Sequence, residues 1–479
     1  MDALKNNSIK VNFFLNTFRL VLGAIIPLVI FPYVSRILGP SNIGKVDFAN
    51  SVVSYFILFA SFGVPMYGIR EVSQVKDNKK NLSNLVMELT LIELIITFLC
   101  YIVYFVFIFF IPRFNNFLFL YLVISPNIIL GVLNYEWFYQ GIENQIYITI
   151  RFIVIRVIQV LSIYLFIKKS SDYIRYAIIL VSLNSIGSIF NLINLRNYLE
   201  IPDFHSLNLV KHLKPLLIIF ISSVATSIYM QLDVTMVGVF VNDKSVGIYV
   251  AANKVIRILT LLVTSLGYVM IPRLSNNLAN KDFTSYSINL KQSFNFVLFL
   301  SLPLTAGVYI FSPLIINLLA GPEYIDSISC MRLLTPIIFT IGMSQFVGHQ
   351  ILYINKREDK YTLAITISAF INFFSNLYLI PRYQAKGACL GTFIAESSVF
   401  VLLCVFGRKY IRDACVLSWK SIFFVFSTLL MVLGIFLLKK YLIENEFILI
   451  IVAIFLYISS ICFFIRFFKI PFLGGVIKK

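Results

Sequence analysis

Residues 84–111 read NLVMELTLIELIITFLCYIVYFVFIFFI, and from Leu94 to Ile111 no side chain carries a charge. About 20 apolar residues cross the hydrocarbon core of a bilayer as a helix. A helix on the surface of a soluble domain would break such a run with polar residues on its outer face. A barrel strand would alternate lipid-facing and inward-facing residues. The stretch is therefore read as a transmembrane helix, and the chain repeats the pattern along its length.

Comparable segments fall near 11–34, 46–66, 115–139, 146–167, 174–195, 215–240, 246–271, 292–320, 328–353, 361–381, 387–407, 420–438 and 447–468. With the first stretch they make about fourteen helices of spanning length. Of the 479 residues, 59% are hydrophobic and 13% charged, against about 25% charged in soluble domains. The fold class expected is all-α: a polytopic membrane protein with about fourteen transmembrane helices. The longest polar connection is 196–214, RNYLEIPDFHSLNLVKHLK. It divides an expected N-terminal six-helix lobe over 1–200 from a second over 201–412, followed by two additional helices over 413–479.

The formal net charge of +18 belongs to loops rather than to a nucleic-acid surface. With the N-terminus in the cytoplasm, loops on that side hold roughly twice the Lys and Arg of the opposite loops, as positive-inside orientation requires. They include Arg70, Lys76, Lys79 and Lys80, then Lys356, Arg357 and Lys360, then Arg408, Lys409 and Arg412. Both termini are expected in the cytoplasm, and the polar start MDALKNNSIK precedes a first apolar run that is retained as a span. No helix-turn-helix or zinc pattern supports nucleic-acid binding. Cys100, Cys330, Cys389, Cys404, Cys415 and Cys462 form no CxxC, and His205, His212 and His349 are the only histidines. Neither a disulfide framework nor a metal site is expected. No GxxxxGK[ST], GxSxG or HExxH is present, so neither an ATP motor nor a hydrolytic site is read, and no cofactor is expected.

An internal repeat is visible. GPSNIGKVDFANSVVSYF begins at Gly39 and VNDKSVGIYVAANKVIRIL at Val241. Gly44 matches Gly247, Ala49 matches Ala252, Asn50 matches Asn253 and, at the same separation, Arg70 matches Arg273. The interval covers six helices, an even number, so the two halves share one orientation: a parallel repeat, the two-lobed plan of transporters that bind substrate near the midplane.

Charges within the spans are the candidate functional residues, because a charge at the bilayer centre costs at least ~2.5 kcal/mol on insertion scales. The basic ones are Arg19, Arg151, Arg156, Lys254, Arg257 and Arg332; the acidic ones are Glu93, Glu136, Asp233 and Glu396, with Glu88 nearer an end. The set is more basic than acidic, which favours an anionic substrate. Lys254 and Arg257 lie one turn apart and share a face. Arg19, Lys254 and Arg257 are assigned to the negative group of the substrate, and Asp233 to a charge partner or a coupling ion. The plainer reading of each is a buried ion pair or a snorkelling side chain. That plainer reading is preferred for Arg151, Arg156 and Arg332. Arg36, Arg70 and Arg273 sit near span ends as gate or anchor residues, as does Lys45, and His349 is read as a satisfied polar core residue. Gly23 with Pro27 and Pro32, Gly63 with Pro65, and Pro303 and Pro313 mark helices that bend.

The run FPYVSRILGPSNIGKVDFANSVVSYF over 31–56, followed by ASFGVPMYGIRE over 60–71, resembles the Wzx-type polysaccharide flippases of the multidrug/oligosaccharidyl-lipid/polysaccharide exporter superfamily. In the second half, MQLDVTMVG, GIYVAANKVIRI and VMIPRLS resemble the equivalent elements of that superfamily, including its lipid II flippases. The resemblance covers roughly residues 10–410. It implies two six-helix lobes that open alternately to each side of a bacterial cytoplasmic membrane. The implied cargo is an oligosaccharide on undecaprenyl pyrophosphate, destined for O-antigen or capsule, and the implied partners are membrane lipids and the polymerase and chain-length machinery. Lys254 stands where the lipid II flippases carry a cavity arginine, and Asp233 matches an acidic position there. Asn50 replaces their span-2 arginine, which counts against lipid II as cargo. A drug exporter of the same superfamily is the other alternative, disfavoured by the basic set of buried charges. A membrane-embedded polymerase would need a long polar loop, which is absent.

Overall fold

The computed structural model describes residues 9–413, 421–441 and 445–468. The polar N-terminal start, Cys415 and the C-terminal end assigned to the cytoplasm lie outside the described residues. The chain forms two compact units, Met1–Gly247 and Ile248–Lys479. The first holds α1 (Ile9–Ser61), α2 (Val64–Val75), α3 (Lys79–Phe110), α4 (Pro112–Asn115), α5 (Leu118–Ile124), α6 (Pro126–Val132), α7 (Glu136–Gly141), α8 (Gln145–Phe166), α9 (Tyr173–Leu195) and α10 (Val210–Phe240). α11 (Asp243–Ala279) begins at its end and continues into the second. There follow α12 (Phe283–Leu319), α13 (Ile325–Leu334), α14 (Ile337–Gln345), a π-helical stretch Phe346–Tyr353, α15 (Glu358–Tyr383), α16 (Ala385–Asp413), α17 (Ile422–Tyr441) and α18 (Glu446–Phe468). Among the described residues there is no strand.

α3 shows why the solvent is hydrocarbon. Its buried residues include Glu88, Thr90, Glu93 and Thr97, while Ile95, Phe98, Leu99 and Phe110 are exposed. That is the reverse of a soluble helix, and it is stable only where the outside is lipid. The helix starts where the Asn78 side chain accepts the Asn81 N–H at 3.1 Å. It stops at Ile111, which turns extended ahead of Pro112, because a proline clashes with a helical residue before it.

Among the described residues, 11 helices are long and apolar enough to cross a membrane, or 12 when the bent pair Pro322–Leu334 and Ile337–Tyr353 counts as one. The first, Phe14–Val75, takes in two of the sequence segments. They part at Gly39, whose φ of 72° is left-handed and open at low cost only to glycine. Two segments read as continuous helices are broken. The 115–139 segment is divided into α4–α7, with an interruption at Leu133–Tyr135. The 328–353 segment bends by 42° at the junction that contains Pro336, since proline removes a helical hydrogen bond and crowds the preceding turn.

Within the first unit the repeat glycines meet. A Cβ on Gly44 would overlap the Asp243 carbonyl, and a Cβ on Gly247 would overlap the Pro40 carbonyl. Pro40 and Asp243 are themselves 203 residues apart, the interval that also separates Gly44 from Gly247, so the two glycines meet backbone at positions matched in the sequence repeat. The approach is therefore backbone to backbone at both positions. It also explains why glycine recurs there: backbones approach this closely only at residues without side chains. Beside it the Phe48 ring fills the space over Gly238, and Thr235 Oγ1 lies within hydrogen-bond distance of the Ser51 hydroxyl at 3.1 Å and the Tyr55 hydroxyl at 3.3 Å. These contacts fix α10 against α1.

Gly44→Ala and Gly247→Ala should each destabilise the protein by about 1–3 kcal/mol, as overpacking does. Gly307→Ala on α12, where a Cβ meets nothing within 4 Å, should be neutral or slightly stabilising. Thermal unfolding midpoints of the three detergent-solubilised variants, compared with the parent, test the contact; equal midpoints would remove it.

Candidate functional site

The interruption between α6 and α7 lies inside the spanning segment Leu118–Gly141. Tyr135 adopts a left-handed conformation with φ of 47°, and α7 starts at Glu136. Irregular backbone at membrane depth survives only where protein supplies its hydrogen bonds. Asn191 of α9, fully buried, donates its side-chain amide to the Asn134 carbonyl. Arg151 of α8 donates to the Gly187 carbonyl at 3.1 Å and, more weakly, to the Asn134 side chain at 3.5 Å.

The turn directs the Glu136 carboxylate at two guanidinium groups. Arg19 of α1 pairs directly with its Oε1, and Arg151 Nη2 lies 3.9 Å from its Oε2. Arg19 also donates to the Asn16 side chain at 3.1 Å. Two cations share one anion, so the trio carries one net positive charge. Each arginine side chain is 11% exposed and that of Glu136 28%. The Nε of both arginines is buried without a hydrogen-bond partner. The sequence placed each of these charges inside a span but did not join them, and for Arg151 it favoured a structural part.

The other charges fall as follows. Asp233 is buried on α10 in the first unit, whereas Lys254 and Arg257 are half-buried one turn apart on α11 in the second. Arg36, Arg70 and Arg273 are exposed, on α1, α2 and α11. Arg70 pairs with Glu71 at 2.9 Å and covers the Tyr67 ring at 5.2 Å. Arg156 donates to Gln159 at 2.5 Å, and Arg332 donates to Ser312 at 2.9 Å. His349 departs from the satisfied core residue expected of it: its ring packs edge-on to Tyr361 at 4.9 Å, but its Nδ1 is buried with no hydrogen-bond partner. Nearby, on the π-helical stretch and at the end of α14, Gln350 and Gln345 also keep buried amide atoms unpaired. The second unit further contains a cavity of about 600 Å³ lined by Leu302, Tyr309, Phe339, Phe393, Phe400 and Val432 among others. Its lining is mainly apolar, with hydroxyls from Thr305, Tyr309, Thr335, Thr340 and Ser397 and no charged side chain among the lining residues.

A second charge cluster binds the long polar connection. Glu88, 1% exposed on α3, accepts the Asn208 N–H at 2.6 Å, Lys211 Nζ at 2.9 Å and bonds His212 Nε2 at 2.8 Å. His212 Nδ1 in turn bonds the Tyr67 hydroxyl at 2.8 Å. One turn earlier, Ser83 and Asn84 accept the Glu200 and Asp203 N–H groups at 2.8 and 2.9 Å. The start of α3 thus clasps the chain between α9 and α10 along its length. His212 was not singled out from sequence, since its partner is more than a hundred residues away.

Known proteins share this architecture. The polysaccharide biosynthesis protein family matches residues 9–278, and the MatE family matches residues 219–381. A protein of Escherichia coli (strain K12) named "Putative O-antigen transporter" is 20% identical over 387 residues, covering 80% of this chain and 93% of that protein. A Shigella dysenteriae protein of the same name is 23% identical over 302 residues, covering 61% of this chain and 74% of that protein. Among solved structures, lipid II flippase MurJ in an inward closed conformation superposes with a TM-score of 0.72 at 19% identity, over 95% of this chain and 99% of that one. An inward-facing multidrug resistance MATE family transporter of the MOP superfamily superposes with a TM-score of 0.64 at 14% identity, over 84% of this chain and 99% of that one. These structures share the fold.

Glu88→Gln should lower stability by about 2 kcal/mol, the scale of hydrogen bonds to a charged group. The exposed Lys211 can turn to water, but the Asn208 N–H and His212 lose a charged acceptor. Thermal unfolding of the purified variant checks this, and an unchanged midpoint would show that the clasp contributes nothing.

Proposed function

The chain belongs to the polysaccharide biosynthesis protein family, and on that premise we propose that it is a flippase for an undecaprenyl-pyrophosphate-linked oligosaccharide repeat unit. It moves that cargo across the bacterial cytoplasmic membrane by alternating access, with both termini in the cytoplasm, for assembly of O-antigen or capsular polysaccharide. The observation that carries the reading is the pair of half-buried arginines, Arg19 and Arg151, that share the single carboxylate of Glu136 and leave the trio one net positive charge. A pyrophosphate is an anion whose oxygens arginine holds by charge-assisted, often bidentate hydrogen bonds. The sugars require a wet path, while the polyprenyl tail stays in lipid, so only the head of the cargo needs shelter.

Arg19, Lys254 and Arg257 take the anionic head group in this reading, and Asp233 serves as charge partner or coupling site. Arg36, Arg70 and Arg273 act at the helix ends as gates or anchors. The chain works as a carrier without chemistry of its own, delivering to the polymerase and chain-length machinery. Flipping is driven by an ion gradient, by the membrane potential or by consumption of the cargo on the far side.

Deletion of the gene, with the surface glycan and the lipid-linked intermediates assayed together, tests the function. Loss of the glycan with its repeat unit accumulating on lipid at the cytoplasmic face is expected. An intact glycan with altered sensitivity to toxic cations would point instead to a drug exporter. Arg19→Ala and Lys254→Ala should each abolish the surface glycan at unchanged protein level, and Lys254→Arg should retain it because the charge is kept. Normal glycan from both alanine variants would overturn the residue assignment.

A further inference from the structure

Glu136 sits between two guanidinium groups from different helices, at the first residue of α7, directly after a turn that the surrounding protein holds out of helical geometry. We propose that Glu136 is an internal stand-in for the cargo's phosphate. It neutralises Arg19 and Arg151 while the site is empty, and a phosphate oxygen of the polyprenyl-linked cargo takes its place between them. The inference rests on the flippase reading above and adds Arg151 and Glu136 to the binding machinery.

Three observations converge on it. Arg19 and Arg151 reach one carboxylate from α1 and α8, and one positive charge remains uncompensated. Their donor capacity is also unfilled: the Nε of each is buried and unbonded. A guanidinium presents Nε–H and Nη–H as a fork that fits two oxygens of one phosphate. A carboxylate between two such groups leaves part of each fork unused. Finally, Glu136 is more exposed than either arginine, so it is the member of the trio that can turn aside and the side from which an anion arrives.

Exchange of one anion for another suits a transporter. Bare guanidinium charges at membrane depth are costly, and a resident carboxylate removes that cost whenever cargo is absent. The carboxylate and the phosphate repel each other, so Glu136 leaves as cargo enters and helps to expel cargo as it returns. Binding is thereby kept reversible, and the remaining positive charge biases the exchange toward the more highly charged phosphate.

The test measures binding of undecaprenyl pyrophosphate to the full-length protein in phosphatidylcholine nanodiscs, with undecaprenol as the uncharged comparison. Glu136→Gln removes the competitor and should tighten pyrophosphate binding by about tenfold; Arg151→Gln should weaken it by about tenfold, the scale of one charge-assisted interaction. Undecaprenol binding should not change in either variant. Tightening in Glu136→Gln cannot come from misfolding, which protects the result if Arg151→Gln proves unstable. Equal pyrophosphate affinity in the parent and both variants would overturn this inference and leave the flippase reading standing. No pyrophosphate binding by the parent would remove both. Phosphatidylglycerol competing with the same dependence on the two variants would assign the site to bulk lipid head groups and overturn its assignment to cargo.

Discussion

A carboxylate at membrane depth is costly unless protein supplies it with partners, and in the first unit Glu88 and Glu136 each gather several. Glu88 gathers a backbone N–H from the chain before α10 and a lysine and a histidine from the first turn of α10. Glu136 gathers arginines from α1 and α8. In hydrocarbon no apolar attraction between helices is available, because lipid tails are as apolar as leucine. Close packing and buried polar contacts must then choose which helices touch. The two acids act at places where the backbone is not a simple helix, and there the choice of partner also decides where the chain goes next.

The same demand explains the irregular backbone. The Leu133–Tyr135 interruption is tolerated because Asn191 and Arg151 bond the carbonyl and side-chain groups it frees. The kink at Gly39 occurs beside the close approach of α1 to the start of α11, where a glycine on each partner lets backbone meet backbone. In the second unit the π-helical stretch Phe346–Tyr353 carries an extra residue per turn and places Gln350 where both its amide atoms are buried and unpaired. π-Helical turns recur at functional positions because they disturb the regular ladder at a cost that selection must offset.

The spans were legible because run length alone separates a membrane helix from other elements, as in 84–111. The repeat was legible at Gly44 and Gly247 because only glycine meets the steric demand, so the residue survives where its apolar surroundings drift. The breaks were less legible. Pro126 and Pro336 are compatible with either a bend or a continued membrane helix, and the outcome at Asn134 depends on Asn191 and Arg151, which are distant in sequence. The charges were identifiable one by one, since each is expensive in lipid. Their pairing was not, because Arg19, Glu136 and Arg151 are brought together by packing of α1, α7 and α8 rather than by spacing along one helix. His212 illustrates the limit: nothing around it in sequence shows that Glu88 and Tyr67 lie on either side of its ring.

Charge balance connects this architecture to transport. A trio with equal positive and negative charge would have little to offer an incoming anion, and two unpaired arginines would be costly when empty and slow to release when full. Two arginines with one carboxylate lie between those limits. In the proposed exchange the net charge attracts phosphate, and the resident acid replaces it when phosphate departs. Because the acid opens the short helix α7 rather than standing within a long one, its displacement requires movement of a short segment, not of a whole span. A carrier must bind its cargo on one side and surrender it on the other, and the proposed exchange of an internal anion would give a fixed pair of cations both abilities.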